Sequence, residues 1–326
     1  APVKAAPAQP AQREAFRPMI PFLADIDPVF KVLAPRPADW LSILPEIAVA
    51  GLSLVCLVQA MFLPKALRSL IPITARVGLV LVAIMALTNG PWVQPTDVAS
   101  FAGLLRQNLP TDGVRMVFLL SALLTSFVAE GFLRERDAAV ADYHHVLLVV
   151  TSAFMLLAQS NHFVTFFLSL ETAAVGLYVL VGYLRRSEAS LEAGVKYLVA
   201  GGLSSALLLM GIVLVYGALG SAGVADSLNF TQIGNALAAQ SVANTISPLT
   251  LAGIALILGG VAFKLGAFPF HAWIPDVYQG APTPVTLFIS AAPKLAAFGM
   301  AFRLLQDGVG PAAAQWQWLL AGLAAA

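Results

Sequence analysis

Charge is scarce in this sequence: Asp, Glu, Lys and Arg make up 11% of the 326 residues, while 59% are hydrophobic. Soluble domains carry about 25% charged and roughly 45–50% apolar residues, so water is not the main solvent of this chain. The net charge of +1 leaves no basic stripe for nucleic acid and no acidic surface for a cationic partner. Nucleic acid binding is thereby set aside. Cysteine occurs once, as Cys56 within an apolar run. That excludes a disulfide framework, a CxxC pair and a thiolate set for zinc or an iron-sulfur cluster. A GxGxxG nucleotide loop and a pair of intramembrane histidines for haem are also missing, so any redox centre belongs on another subunit. Residues 1–38 lack an apolar run long enough to span a bilayer or to form a secretory signal core. Rich in Pro and Ala, they read as a poorly ordered tail before a transmembrane domain at 39–326. The chain starts at Ala1 without Met and stops at Ala326 inside an apolar stretch without a terminating signal, and it reads as a piece of a longer protein.

What is abundant is long apolar runs. A bilayer core about 30 Å thick needs roughly 20 such residues at 1.5 Å rise. Eight runs qualify: Trp40–Phe62, Ile71–Trp92, Val114–Leu133, His145–Gln159, Phe163–Leu184, Ala193–Leu219, Leu249–Phe268 and Thr283–Leu304, with a ninth starting near Trp316. The expected fold is an all-α polytopic transmembrane helix bundle. Lys65 and Arg68, Arg134 and Arg136, and Arg185 and Arg186 lie in alternate connections, which places those loops in the cytoplasm. Lys4, Arg13, Arg17, Lys31 and Arg36 in the tail argue the other way, but three alternating loops outweigh a positive tail. Gly201, Gly202, Gly259 and Gly260 read as sites of close helix packing.

Pro and Gly crowd into Phe268-Pro269-Phe270-His271-Ala272-Trp273-Ile274-Pro275-Asp276, followed by Gly280, Pro282 and Pro284, so the seventh helix breaks there. Irregular backbone at membrane depth is tolerated only where protein buries it or a hydrated cavity adjoins it, which points to a transport route. An ordinary cytoplasmic loop with an interfacial Trp273 is the competing reading. Charge inside the membrane is the sharper signal, because even lenient scales assign about 2.5–3.5 kcal/mol to a Lys or Asp at a helix centre. Glu171, Lys264 and Lys294 lie on the order of 12, 22 and 16 Å into their runs. Lys196 is equally deep if its helix starts at Ser187, and interfacial if it starts at Ala193. Burial lowers a lysine's proton affinity and a nearby carboxylate restores it, so such a set can carry protons, or it can be a static ion pair. His271 beside the break is a candidate relay. His144, His145 and His162 read as solvated interfacial histidines, Glu46 and Asp276 as solvated or capping, and Arg303 as snorkelling from the end of its span.

The stretch from Phe263-Lys264-Leu265-Gly266-Ala267-Phe268-Pro269 through Pro275-Asp276-Val277-Tyr278 to Pro284-Val285 resembles the signature of the N-type subunits of bacterial complex I, NADH:quinone oxidoreductase. These belong with the antiporter-like membrane subunits related to Mrp cation/proton antiporters. Phe167-Leu168-Ser169-Leu170-Glu171, Glu192-Ala193-Gly194-Val195-Lys196-Tyr197 and the stretch from Gly202 to Gly217 are similar to further family segments. The resemblance covers roughly residues 40–326. It implies two inverted five-helix repeats, each with a broken helix, of which this chain would hold the first and stop before the second. It also implies that Glu171 modulates a lysine partner, that Lys264 is the central proton carrier, that Lys294 passes protons onward and that Lys196 is a connecting lysine. Without the second repeat this stretch would not translocate protons by itself. The Pro/Ala tail departs from the family pattern, as does Pro293 directly before Lys294, which would kink that helix.

Three functions remain to be weighed. One is a membrane subunit of complex I in the bacterial cytoplasmic (inner) membrane, moving protons beside other membrane subunits, with NADH, FMN, iron-sulfur clusters and quinone on its partners and no cofactor of its own. The others are a free-standing Mrp-type cation/proton antiporter subunit and a structural scaffold whose charges only lock helices together.

Overall fold

The computed structural model describes residues 35–89 and 97–325. The expected tail at 1–38 lies outside the described residues except for its last four, and Pro37 and Ala38 already open a helix. The helices are α1 (Pro37–Ser42), α2 (Leu44–Phe62), α3 (Leu70–Asn89), α4 (Leu109–Glu135), α5 (Val140–Gln159), α6 (Phe163–Val181), α7 (Glu188–Ser221), α8 (Phe230–Val242), α9 (Pro248–Leu265), α10 (Trp273–Gly280), α11 (Thr283–Arg303) and α12 (Ala313–Ala325). Eight of them, α2 to α7, α9 and α11, are long and apolar enough to cross a membrane, and they match the eight sequence runs one for one. The chain is a multi-pass helical membrane protein.

Two elements escaped the hydropathy reading, because neither is a long apolar run. An antiparallel hairpin of β1 (Val98–Ser100) and β2 (Leu105–Gln107) sits between α3 and α4, and α8 occupies the connection between α7 and α9. Caps extend two spans beyond their apolar runs. The Asn108 side chain accepts from the Thr111 N–H at 3.1 Å and starts α4 several residues before Val114. Ser187 Oγ accepts from the Ser190 N–H at 3.4 Å, which starts α7 at the earlier of its two possible origins.

The connections divide between two faces as the charge pattern requires. Arg68 and Arg134 border one crevice, and Arg136, Arg185 and Arg186 border another that shares Ala138, Ala139 and Asp142 with the first. The three arginine-bearing loops are therefore neighbours on one face. On the other face the hairpin gathers the connections between α5 and α6 and between α7 and α8. Asn161 donates from its main-chain N–H to the Leu104 carbonyl at 2.9 Å, and the side-chain amides of Asn161 and Asn229 each donate to the Gly103 carbonyl at 3.1 Å. The Phe230 N–H closes on the Asn161 carbonyl at 2.9 Å, which fixes the start of α8 against the start of α6.

The core centres on α7 against α9, where two glycines bring the backbones into direct contact. A methyl on Gly211 would lie 2.6 Å from the Gly253 carbonyl oxygen. Of the four glycines assigned to packing from sequence, Gly201 faces Tyr178 and Gly260 faces Ser204 and Leu208. Gly202 and Gly259 face open space, because they lie on the outward sides of the same helices. Gly211→Val is expected to destabilise the packed bundle by about 1–3 kcal/mol, read as a lower yield of folded protein from membranes. Gly202→Val, whose added atom meets nothing within 4 Å, should leave that yield unchanged.

On the hairpin face, Arg106 Nε donates to Asp97 Oδ1 at 2.7 Å and Nη1 to Asp307 Oδ2 at 3.0 Å. Hydrogen bonds from the Arg106 guanidinium hold the Asp97 carboxyl below its usual range, against partial burial, which raises it. A carboxylate lowered in the folded state contributes stability above its unfolded value, about 3.9, and loses it as the pH falls through the folded value. Asp97→Asn is therefore expected to lower the thermal midpoint in detergent at pH 7, and the difference from the parent should close below about pH 4.

Candidate functional site

The three central spans bring one carboxylate, one hydroxyl and one ammonium together. Glu171 comes from the middle of α6, Ser205 from α7, and Lys264 from the last turn of α9. Lys264 Nζ lies 3.9 Å from Glu171 Oε1, too far for a direct hydrogen bond. Ser205 Oγ fills the gap: it donates to Glu171 Oε1 at 2.5 Å, and Lys264 Nζ approaches it at 3.5 Å. The hydroxyl also lies 3.0 Å from the Gly201 carbonyl, so its proton has two acceptors to choose between. The lysine side chain is 12% exposed and the glutamate 28%. Glu171 opens onto a groove between α5 and α6 that also contains His145, while Lys264 faces inward. As a cation at the carboxyl end of α9, Lys264 also lies where the helix dipole favours positive charge.

The break after Lys264 has a local cause. Gly266 adopts φ +73°, and the N–H of Ala267 returns to the Ala262 carbonyl at 2.9 Å, closing α9 with a left-handed cap. A side chain at Gly266 would collide with Ile274. Beyond the break, Trp273 is buried rather than interfacial. Its indole N–H donates to the Phe263 carbonyl at 3.2 Å, and its ring stacks on Tyr197, 4.9 Å away. Tyr197 in turn meets Tyr178 edge-on, also at 4.9 Å. Trp273 thus anchors the broken region to α7 and α9, while Phe268, Pro269, His271, Ala272, Pro275 and Asp276 around it are exposed.

The other sequence-chosen residues surround this pair without joining it. Lys196 is 45% exposed although its helix starts early, and its ammonium lies 2.7 Å from Glu192 Oε1 and 2.7 Å from Asp276 Oδ2. Asp276 is accordingly a partner across the break as well as a solvated group. Lys294 is half-buried in α11, its ammonium 5.5 Å from the centre of the Tyr278 ring, and it makes no ion pair among the described residues. His271 is exposed in the turn between α9 and α10, its ring 5.6 Å from that of Phe268.

Several polar residues read as solvated are buried and bonded instead. Glu46 is 4% exposed, with Oε2 accepting from Arg115 at 2.7 Å and Oε1 from the Gln159 amide at 2.7 Å. Arg115 also binds Asp112 at 2.8 Å. His144 is fully buried, its Nδ1 2.7 Å from the Val140 carbonyl and its Nε2 2.9 Å from Ser126 Oγ. A carbonyl only accepts, so Nδ1 carries the proton of that bond. Arg76 binds Glu130 at 2.6 Å and the Ser126 carbonyl at 2.9 Å. His145 Nδ1 lies 2.7 Å from Ser53 Oγ, and His162 caps α6 by accepting from the Val164 N–H at 3.1 Å. Arg303 is 8% exposed and donates to the Ala158 carbonyl at 3.0 Å, so it turns inward instead of snorkelling. The corrections share one cause: partners on other helices arrive at the same depth. Arg76 and Arg115 themselves carried the signal that marked Lys264, charge within a run otherwise apolar.

These features define a multi-pass membrane protein with a partly buried, hydroxyl-bridged charge pair at a broken helix. The chain belongs to the NADH:quinone oxidoreductase/Mrp antiporter transmembrane family, whose profile matches residues 160–326. That match contains Glu171, Lys196, Lys264, His271 and Lys294. The chain is 44% identical over 288 residues to NADH-quinone oxidoreductase subunit N 1 of Opitutus terrae, covering 86% of this chain and 55% of that protein. It is 37% identical over 291 residues to subunit N of Xanthomonas euvesicatoria pv. vesicatoria, covering 88% and 56%. The chain thus spans about half the length of these curated relatives. Among solved structures it is similar to a chain of respiratory complex I from Thermus thermophilus (TM-score 0.63, 28% identity, 79% of this chain and 52% of that one). It is also similar to a chain of the membrane-bound sulfane sulfur reductase, an archaeal respiratory membrane complex (TM-score 0.62, 26% identity, 82% and 55%).

The bridging role of Ser205 is open to test in the full-length chain. Ser205→Ala is expected to destabilise the packed bundle by about 1.5–3 kcal/mol, the scale of a lost hydrogen bond to a charged group, read as a lower thermal midpoint in detergent. Ser205→Thr, which keeps the hydroxyl, should restore it.

Proposed function

We propose that this chain forms part of a membrane subunit of a respiratory NADH:quinone oxidoreductase in the bacterial cytoplasmic membrane, and that it moves protons through Glu171, Ser205, Lys264 and Lys294. The observation that carries this reading is the Glu171–Ser205–Lys264 arrangement directly before the break between α9 and α10. A pair held at 3.9 Å through a hydroxyl can open and close with little rearrangement. When Glu171 turns toward its groove, the ammonium loses its neutralising partner and its proton is driven onward. Lys294 is the next lysine along the chain and lies on the adjoining α11, and Lys196 and His271 border the break on the side of the arginine-rich loops. NADH, FMN, iron-sulfur clusters and quinone would reside on partner subunits, and the other membrane subunits of the complex would be this chain's neighbours.

An Mrp-type cation/proton antiporter subunit is the second reading, favoured by the breadth of the matched family, whose description covers both kinds. Copurification separates them: recovery of the full-length protein without the other subunits of complex I favours the antiporter. The purely structural reading predicts that neutral replacements of Glu171 or Lys264 damage assembly without any separate loss of pumping.

The deciding experiment places Lys264→Ala in the full-length chain, confirms assembly, and compares proton pumping with quinone reduction in closed membrane vesicles. Pumping and coupled turnover are expected to be lost while the complex remains assembled. Normal pumping would reduce Lys264 to a structural charge.

A further inference from the structure

Pro293 lies inside α11, immediately before Lys294. Proline has no N–H, so the carbonyl four residues earlier, that of Ile289, loses its helical donor. In a bilayer no water is at hand to replace it. The replacement comes from α10: the Tyr278 hydroxyl donates to the Ile289 carbonyl at 3.3 Å. The same side chain turns its ring toward Lys294, whose ammonium lies 5.5 Å from the ring centre, within the range at which the face of an aromatic ring attracts a cation. Thr286 Oγ1 of α11 donates back to the Tyr278 carbonyl at 3.3 Å. Two bonds running in opposite directions therefore tie the short helix beyond the break to the helix that carries Lys294.

We propose that Tyr278 is a positioning residue for Lys294: its hydroxyl caps the backbone opening made by Pro293, and its ring holds the ammonium. The proposal rests on the reading of Lys294 as a group on the proton route. The location of Tyr278 adds a mechanical consequence. The same α10 carries Asp276, bonded to Lys196, and Trp273, bonded to the Phe263 carbonyl next to Lys264. One short helix thus contacts the surroundings of all three lysines, and displacement of α10 at one of them is felt at the others.

The test uses the full-length chain in the assembled complex and reads protons pumped per quinone reduced in closed vesicles, normalised to assembled complex. Tyr278→Leu is expected to lower this ratio about three- to tenfold, the range of a lost cation–π contact. Tyr278→Phe keeps the ring and should lose less. In a Pro293→Ala background the Phe substitution should add nothing, because the alanine supplies the missing N–H and closes the helical bond to the Ile289 carbonyl. A Phe effect undiminished in that background overturns the role given to the hydroxyl. Equal losses for Leu and Phe overturn the role given to the ring, and that comparison stands even if Pro293→Ala does not assemble. Reduced assembly with an unchanged ratio makes Tyr278 purely structural and overturns the proposal. Lys294→Ala runs in parallel. If it abolishes pumping while Tyr278→Leu pumps normally, only the Tyr278 proposal falls; if Lys294→Ala pumps normally, the reading of Lys294 falls first.

Discussion

A lipid bilayer supplies no hydrogen bonds, so wherever the backbone leaves a regular helix at membrane depth the protein itself has to provide the partners. This chain leaves the helix between α9 and α10 and loses a backbone donor at Pro293. Both openings are closed by α10 or its neighbourhood. The Trp273 indole serves the Phe263 carbonyl at the first, and the Tyr278 hydroxyl serves the Ile289 carbonyl at the second. Both carbonyls thus find their partners within the protein. Through α10 the irregular region reaches the Phe263 carbonyl beside Lys264, the exposed Lys196 and the ring contact of Lys294.

The same scarcity of partners sorts the buried charges into two kinds. Glu46 with Arg115, and Arg76 with Glu130, are joined directly at 2.7 and 2.6 Å, and each is surrounded by further bonds from Gln159, Asp112 or Ser126. Breaking one partner of the fully buried Glu46–Arg115 pair costs about 3–5 kcal/mol, which suits a static brace. Glu171 and Lys264 stand at 3.9 Å with a single hydroxyl between them, and the glutamate adjoins an open groove. That arrangement constrains the two charges less and leaves the carboxylate somewhere else to go. Buried charge alone does not separate a brace from a switch; the separation and the number of competing partners do.

The glycines teach a similar lesson. Gly201 and Gly202 are adjacent in sequence, yet only Gly201 meets a neighbouring side chain, because consecutive residues on a helix point about 100° apart. The backbone contact of Gly211 with Gly253 involves residues that nothing in the local sequence distinguishes from other glycines in apolar runs.

Length and hydropathy determined the eight crossings, because the thickness of the bilayer imposes itself on composition alone. The arginine-bearing loops determined which ends share a face, and the cost of burying charge picked out Glu171, Lys264 and Lys294. The helix break was equally legible, since Gly266, Pro269 and Pro275 act on their own backbone. Tertiary structure decided the rest. It brought Ser205 between Glu171 and Lys264, drew Lys196 outward to Asp276, and buried Glu46, His144 and Arg303 against partners far away in the chain. It also set Tyr278 beneath Lys294. The physical reason is range: hydropathy and backbone geometry are written residue by residue, whereas a polar group's partner depends on which helices meet at its depth, and only packing fixes that.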